Sequence, residues 1–406
     1  MTTPAALAAF VALLAVISLV SLVARRLGLP YTVALVLIGL AVSAASPPIH
    51  FQITSDLVLA ILLPGLVFEA AVRINVGHLL RAIGGVALLA VPGVLITAVL
   101  VAVVLHVGAG LPLPIGFVIG AMVSPTDPAA VIDAARRLRV PKRLETLFEA
   151  ESLFNDGTAI VVFVLALGAV GGDLSVAEGA VAFVTVVAGS LVIGLVGGFV
   201  FSRILGQVED HLIELTVTVL LAYGTYVVAD LLHESGIIAT VTAGIMLGSY
   251  GRRVGLSVAA RETIDVVWGW LGFLFTALVF LLIGLAMTPH QLVEAAVPIA
   301  WAVVAITVGR ALSVYGLLGG ASVVAERTGL MRGHLPAGWL HLMFWGGLRG
   351  AVAVALALAL PLDFPQRPLV QGIVFGVVLF TLLVQGTTAG RVLRLAGVRR
   401  ERGVPG

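Results

Sequence analysis

Residues 143–170 read RLETLFEAESLFNDGTAIVVFVLALGAV, a stretch as long as a membrane-spanning helix that also carries a dense group of polar side chains. A helix needs about 20 mainly apolar residues to cross the hydrocarbon core of a bilayer. The polar group comes before an apolar run that begins at Ala159, and its members are Glu149, Glu151, Ser152, Asn155, Asp156 and Thr158. Charged groups at membrane depth are costly and indicate function by default. The stretch therefore predicts a spanning helix that carries a functional site.

The composition of the whole chain agrees with a membrane location. The 406 residues are 60% hydrophobic and only 11% charged, which is too little charge to cover a water-soluble domain of this length. The chain has no cysteine, so disulfides and thiolate metal sites are excluded. Its net charge of +2 is too small to indicate nucleic-acid binding.

The hydrophobic pattern predicts about thirteen spans and an all-α polytopic membrane protein. The predicted spans are 4–24, 30–46, 55–72, 79–107, 111–134, 143–170, 176–204, 209–232, 235–250, 262–287, 293–319, 337–361 and 368–392. With these spans, almost all arginines and the single lysine fall in loops on one side of the membrane. The exceptions are Arg367 on the opposite side, and Arg310 and Arg349 inside spans. Cytoplasmic loops collect Lys and Arg, so we expect the amino terminus outside and the carboxyl terminus in the cytoplasm.

A weak internal similarity indicates an inverted repeat. Residues 28–39 (GLPYTVALVLIG) and 236–248 (GIIATVTAGIMLG) open spans 2 and 9, and each has Thr-Val at the same distance from its first glycine. Units offset by an odd number of spans enter the membrane from opposite sides, as in many secondary transporters. Spans 1–6 would then pair with spans 8–13, and span 5 would be the counterpart of span 12.

Span 6 predicts a cation site. Neighbours on a helix face are three and four residues apart, so we expect Glu151, Ser152, Asn155 and Asp156 to share one face. The alternative is a carboxylate pair that stays in headgroup water. Asp156 is the acid without a dedicated positive partner, so a proton and a dehydrated sodium ion would compete for its oxygens. That competition is the core of cation/proton exchange.

Span 5 is predicted to be interrupted at Ser124-Pro125-Thr126-Asp127-Pro128, because two prolines three residues apart remove backbone donors. Interrupted backbone at membrane depth must line a cavity or be covered by protein. Freed carbonyls and the Thr126 hydroxyl could coordinate a cation. Asp127 is either a ligand or a structural cap of a helix end.

Span 12 contains Gly346-Gly347-Leu348-Arg349-Gly350-Ala351, whose glycines permit unwinding or close packing. Arg349 would place a fixed positive charge near the broken helix ends, the alternative being a snorkelling side chain. Arg310, in the middle of span 11, needs a carboxylate partner, and Glu151 is the best candidate for a structural ion pair.

Other acids and other function classes are weaker candidates. Glu69 and Glu214 could join a proton path, but a structural or span-end role is favoured for both. A channel needs an open pore with repeated carbonyls or charge rings, and the sequence shows neither. No zinc motif or serine/histidine pairing supports a membrane enzyme. A potassium/proton exchanger remains an alternative, because Na+ and K+ use the same types of ligand.

These residues resemble a known family: the chain is similar to bacterial sodium/proton antiporters of the NhaP type and to the related eukaryotic exchangers. The resemblance is carried by residues 148–157 (FEAESLFNDG), 124–128 (SPTDP), 346–351 (GGLRGA) and 64–70 (PGLVFEA). It implies an NhaA-like antiporter fold with two crossing, interrupted helices, and sodium or lithium exchanged for protons with no cofactor.

The resemblance also implies roles for residues and for the assembly. Asp156 would carry the cation or the proton, Ser152 and Thr126 would help bind the cation, and Asn155 would mark an electroneutral one-for-one exchanger. Glu151 would pair with Arg310. The protein would be a homodimer in the plasma membrane, with a core domain (spans 4–6 and 11–13) moving like an elevator past a dimerisation domain (spans 1–3 and 7–10). Residues 1–392 form one transporter unit, and residues 393–406 would be a short basic cytoplasmic tail.

Overall fold

Helices account for all the regular secondary structure in the part of the chain that the computed structural model describes. This part comprises residues 3–27, 29–45, 57–129, 131–132, 135, 140–170, 176–328 and 335–395. The predicted tail from residue 396 onward and most of the basic loop at 136–139 lie outside these ranges.

The helices follow one another through short connections. In chain order they are α1 Thr3–Leu27, α2 Tyr31–Ala45, α3 Leu63–Arg73, α4 Val76–Ala90, α5 Pro92–Ala109, α6 Leu113–Val123, α7 Lys142–Val170, α8 Val176–Leu205, α9 His211–Leu231, α10 Gly236–Met246, α11 Arg252–Val254, α12 Val258–Ala286, α13 Pro289–Glu294, α14 Ala296–Ala311, α15 Gly320–Arg327, α16 Ala337–Trp345, α17 Ala351–Leu358, α18 Arg367–Thr381 and α19 Thr387–Leu395. Four wider, π-helical segments adjoin helices of this described part, at Leu57–Leu62, Leu247–Gly251, Leu312–Gly319 and Leu382–Gly386.

Among the residues that the structure describes, seven helical segments are long and apolar enough to cross a membrane. They are Val76–Ala109, Lys142–Val170, Ala177–Leu205, His211–Leu231, Val258–Ala286, Ala296–Arg327 and Arg367–Leu395. Tyr31–Ala45 and Leu113–Val123 are shorter apolar helices. The expected class, an all-helical polytopic membrane protein, is therefore confirmed, while the total of about thirteen crossings stays a prediction.

Two predicted spans are interrupted, as the prolines and glycines indicated. In span 5, α6 ends at Val123 and the chain is not helical from Ser124 to Pro128. In span 12, α16 ends at Trp345 and α17 begins at Ala351. At about 1.5 Å per residue, α6, α16 and α17 are each too short to cross a bilayer alone.

The helices pack in two groups that meet at these interruptions. Helix α2 packs on α12, and α10 packs on α3, α8 and α9. In the second group, α5 packs on α6 and α14, and α4 and α6 pack on α7. Small residues allow the closest approaches: a Cβ at Gly39 of α2 would lie 2.9 Å from the Cα of Gly284 in α12. Such contacts are typical of helix pairs in membranes.

Candidate functional site

The two interrupted segments cross and are joined by their backbones. The amide of Asp127 donates a hydrogen bond to the carbonyl of Leu348 at 2.8 Å. Pro125 and Pro128 have no amide hydrogen and therefore cannot take part in a helical ladder here. Polar backbone from two distant parts of the chain is thereby gathered at one place inside an apolar bundle.

Arg349 stabilises the carbonyl end of α6. One of its guanidinium nitrogens donates to the carbonyl oxygens of Ser124 at 2.9 Å and Pro125 at 3.1 Å. Its side chain is only 1% exposed. A positive charge is favourable at the carboxyl end of a helix, where free carbonyls concentrate negative partial charge. The snorkelling alternative is excluded by this burial, and Arg349 lies where the sequence predicted a fixed charge.

Asp127 caps the amino ends of two helical segments, the one that begins after Pro128 and α17. Its carboxylate accepts a hydrogen bond from the amide of Ala129 at 3.0 Å and another from the amide of Ala351, the first residue of α17. Gly350 is needed beside it, because a Cβ at that position would overlap the Asp127 carboxylate. The structure therefore shows the capping role, one of the two roles considered for Asp127. The residue also lines a cavity, so the ligand role stays open.

The polar residues of α7, which the sequence predicted on one face, are divided between two neighbouring cavities. Ser152 and Asp156 line one cavity, whereas Glu151 and Asn155 line a smaller neighbouring one that contains Arg310. Consecutive residues on a helix are separated by about 100°, so two i, i+4 pairs offset by one residue can point to different environments. On α7, Ser152 and Asp156 therefore form a pair that lines the larger cavity, and Glu151 and Asn155 form a pair that is buried.

Asn155 and Ser152 fasten α7 to the interrupted segment at Thr126. The Asn155 side chain donates to the Thr126 hydroxyl at 2.8 Å and accepts from the Thr126 amide at 3.3 Å. The Ser152 hydroxyl donates to the Thr126 carbonyl at 2.7 Å. Asn155 is 1% exposed and does not line the cavity with Asp156. The Thr126 hydroxyl therefore faces Asn155, and the Thr126 carbonyl faces Ser152.

Glu151 and Arg310 form a buried ion pair, as the sequence indicated, in which both terminal guanidinium nitrogens of Arg310 donate to the carboxylate. Arg310 also donates to the carbonyl of Met343 from two of its nitrogens, at 2.6 and 3.0 Å. Met343 lies in the last turn of α16, so Arg310 stabilises that helix end as Arg349 stabilises α6. A Cβ at Gly347 would lie 2.8 Å from the Arg310 side chain, so this glycine makes room for the pair.

Asp156 lies on a cavity of about 380 Å³ between the two helix groups. Among the described residues, its carboxylate has no hydrogen bond or ion pair. The other acids on the cavity are engaged: Glu69 pairs with Arg73 at 2.9 Å, Asp127 holds two backbone amides, and Glu149 also has a partner. Ser152 and Thr126, the predicted cation ligands, line the same cavity as Asp156.

The far wall of this cavity comes from helices that the sequence analysis did not assign to the site. Tyr31, Glu69, Arg73, Phe273 and Phe280 belong to α2, α3 and α12. A structural role was the favoured prediction for Glu69, and its ion pair with Arg73 fits that role. Its place on the cavity wall was not expected. The only sequence signal was the motif at residues 64–70, which contains Glu69.

Glu214 is remote from the cavity. It is fully buried near the start of α9 and accepts a hydrogen bond from the amide of Ser257 at 3.2 Å. That contact agrees with the structural role favoured for it. Within the described ranges, no group of three or more His, Cys, Asp or Glu side chains could hold a metal ion.

Comparison with known proteins agrees with this architecture. Residues 10–395 match the model of a family described as "Sodium/hydrogen exchanger, transmembrane". The chain is 37% identical over 378 residues to the Na(+)/H(+) antiporter ApNhaP of Aphanothece halophytica, covering 92% of this chain and 71% of that one. It is 32% identical over 394 residues to the Na(+)/H(+) antiporter NhaH of Halobacillus dabanensis, covering 93% and 94%.

The fold is shared with a solved antiporter structure. The sodium proton antiporter MjNhaP1 of Methanocaldococcus jannaschii superposes with a TM-score of 0.78, covering 98% of this chain and all of that one, at 23% identity. The chain is therefore a multi-pass membrane protein that belongs to the transmembrane sodium/hydrogen exchanger family.

Proposed function

We propose that this protein exchanges Na+ or Li+ for H+ across the membrane, with Asp156 as the shared binding group. The observation that carries the proposal is that Asp156 alone, among the described acids on the cavity, has no hydrogen bond or ion pair. A carboxylate with no protein partner is available for a proton or a cation. Membership of the exchanger family and the names of the antiporter relatives support the same activity.

The cation site consists of oxygen atoms from α7 and the interrupted segment. Asp156 contributes its carboxylate, Ser152 its hydroxyl and Thr126 its main-chain carbonyl. Ser152 uses its hydrogen on Thr126, so its oxygen lone pairs remain available to a cation. Asp127 stands beside them and completes the negative field. We propose no binding role for Asn155, because it holds Thr126 from the side away from the cavity.

We further propose a one-for-one, electroneutral exchange. One carboxylate that holds either a proton or a monovalent cation carries the same charge in both loaded forms. The buried charges of Glu151 and Arg310 neutralise each other and stay with the protein. A site that binds a proton and a cation in turn does not need to cross the membrane with no ion bound.

We propose that transport proceeds by an elevator-type motion of the core domain. Asp156 lies at the junction between a group that includes α5, α6, α7 and α14 and a group that includes α2, α3 and α12. The core would carry the site past the dimerisation domain of a homodimer. Native mass spectrometry of the purified protein tests the dimer, and a monomer at all concentrations would exclude it.

A proteoliposome assay tests the function. A pH-sensitive dye inside the vesicles should respond when Na+ or Li+ is added outside, and the response should saturate. Asp156→Asn should abolish it, while the exposed control Asp230→Asn should not. Wild-type flux in Asp156→Asn would reject the assignment. If K+ but not Na+ drives the response, the protein is a potassium/proton exchanger, and unitary currents in a planar bilayer would indicate a channel.

We propose a plasma-membrane location with the arginine-rich loops in the cytoplasm. Because the chain has no cysteine, single cysteines can report each side. Arg26→Cys is expected to be cytoplasmic, and Leu362→Cys, at an 89% exposed residue, external. In whole cells a membrane-impermeant maleimide should label only Leu362→Cys. Labelling of Arg26→Cys alone would reverse the orientation.

A further inference from the structure

A second cavity, of about 580 Å³, lies beside the Asp156 cavity and is lined by three arginines. Arg73 comes from the end of α3, and Arg252 and Arg253 come from α11. The single acid on its wall is Asp265 of α12. Arginine remains protonated at physiological pH, so three guanidinium groups face one carboxylate.

The arginines differ in how far they are already engaged. Arg252 is paired with Asp265 through both guanidinium nitrogens. Arg73 pairs with Glu69 and also donates to the carbonyl of Asp265 at 2.8 Å. Arg253 has no hydrogen bond or ion pair with any residue in the described ranges, and its side chain is exposed. The cavity therefore contains one free guanidinium and an excess of positive charge.

The general preference of arginine for cytoplasmic loops does not explain why these three arginines lie together. Arginines that only mark the cytoplasmic side are spread along loops, and Arg25, Arg26 and Arg81 line neither cavity. Here two separate parts of the chain, the end of α3 and the short helix α11, bring three arginines to one concave surface at the end of the bundle. A planar guanidinium fork matches the geometry of a phosphate group, and basic clefts between membrane helices bind phospholipid headgroups.

We propose that this cavity binds a phosphate group, held by Arg253 and Arg252, supplied either by an anionic phospholipid headgroup or by a soluble phosphate. Arg73 lines both cavities, so the two sites are electrostatically coupled. The unpaired charge of Arg253, in a cavity that shares Arg73 with the Asp156 cavity, repels an incoming cation. A bound phosphate offsets that repulsion and raises the local concentration of Na+.

The coupling rests on the proposed exchange function, whereas binding itself does not. The test uses Arg253→Gln, because Arg253 is exposed and unpaired and its loss should not affect folding. Arg253→Lys keeps the charge but removes the fork. Arg26→Gln removes an exposed arginine from the last turn of α1 and is the matched control.

Binding is measured on the purified protein in two arms. Native mass spectrometry compares retention of phosphatidylglycerol with that of phosphatidylcholine. Thermal unfolding compares inorganic phosphate with chloride at equal ionic strength. Wild type and Arg26→Gln should respond in at least one arm, Arg253→Lys weakly, and Arg253→Gln not at all. A response only to lipid identifies a headgroup, and one only to phosphate identifies the soluble ion. No response in either arm, or an equal one in Arg253→Gln, would overturn the site.

Coupling is measured as the apparent KM for Na+ in vesicles with and without the anion found to bind. In wild type the KM should fall by about threefold, since one or two charges act across partly screened water. In Arg26→Gln the KM should fall as in wild type, whereas in Arg253→Gln it should not change when the anion is added. An equal change in both variants would overturn the coupling. Absence of Na+-dependent flux in wild type would reject the proposed function, and the binding arms would still decide the site.

Discussion

The guanidinium group of Arg349 donates a hydrogen bond to the carbonyl of Ser124 at 2.9 Å, joining the two interrupted segments across 225 positions of sequence. The same principle recurs at each helix end around the site. Arg310 holds a carbonyl at the end of α16, and Asp127 holds the first amides of α17 and of the segment after Pro128. At each of these helix ends, the free backbone carbonyls or amides therefore bind a side chain whose charge is opposite to their partial charge.

Replacing Arg349 should loosen the crossing. In Arg349→Met the carbonyls of Ser124 and Pro125 lose a charged donor, which costs about 2–3 kcal/mol. Thermal unfolding in detergent should show a lower midpoint, and exchange in proteoliposomes should be lost. Arg349→Lys should recover part of the stability, because one ammonium can reach one carbonyl. A midpoint unchanged in Arg349→Met would contradict the role of this hydrogen bond.

The pair of Glu151 and Arg310 should show strong coupling between the two residues. Removing one partner leaves an uncompensated buried charge, so Glu151→Gln and Arg310→Met should each cost about 3–5 kcal/mol. The double variant should be less unstable than the sum of the two single variants, as measured by thermal unfolding. Arg310→Met should lower the stability more than Glu151→Gln, since the Met343 carbonyl also loses its hydrogen-bond donors. Additive effects would show that the pair is not coupled.

Gly350 should not tolerate a methyl group. A Cβ at this position overlaps the Asp127 carboxylate, so Gly350→Ala should displace the cap of two helical segments. Overpacking of this kind costs about 1–3 kcal/mol, and we expect both stability and exchange to fall. Gly320→Ala is the matched control, because no atom lies within 4 Å of its Cβ and alanine favours a helix. Equal behaviour of the two variants would contradict the proposed contact.

An acid at position 155 should not add a transported charge. Asn155 faces Thr126 and not the cavity, so the carboxylate of Asn155→Asp would stay with the protein during the cycle. Stability should fall, because the donor to the Thr126 hydroxyl is lost. With a potassium diffusion potential imposed by valinomycin, exchange should remain as insensitive to voltage as that of wild type. Voltage-driven exchange in this variant would place residue 155 in the transport site.

Protons and sodium should compete at one site. Since Asp156 is the only acid on the described cavity without a partner, a proton bound there excludes the cation. Lowering the pH equally on both sides should raise the apparent KM for Na+ and leave the maximal rate less affected. Vesicle flux measured over a pH series checks this. A maximal rate that falls at constant KM would indicate separate sites for the two ions.

Much of the architecture could be predicted from local sequence. Apolar runs, the scarcity of charge and the two proline- and glycine-rich motifs were enough to predict a membrane bundle with two interruptions, because these features act on their own segment of chain. The partner of Arg310 was also predictable, since a deep arginine needs a carboxylate and Glu151 was the best candidate. The motif in α7 also predicted Asp156 as the group that binds the cation and the proton, and this role stays a prediction.

What required the tertiary structure was the direction that each side chain faces. Helical periodicity places Glu151, Ser152, Asn155 and Asp156 near one another, but it does not say what lies opposite each of them. Only the packed bundle separates Ser152 and Asp156, on the cavity, from Glu151 and Asn155, on the buried side. The wall formed by α3 and α12 and the shared position of Arg73 were likewise decided by packing. The physical reason is that propensity and hydrophobicity act locally along the chain, whereas a binding site is made by contacts between segments far apart in sequence.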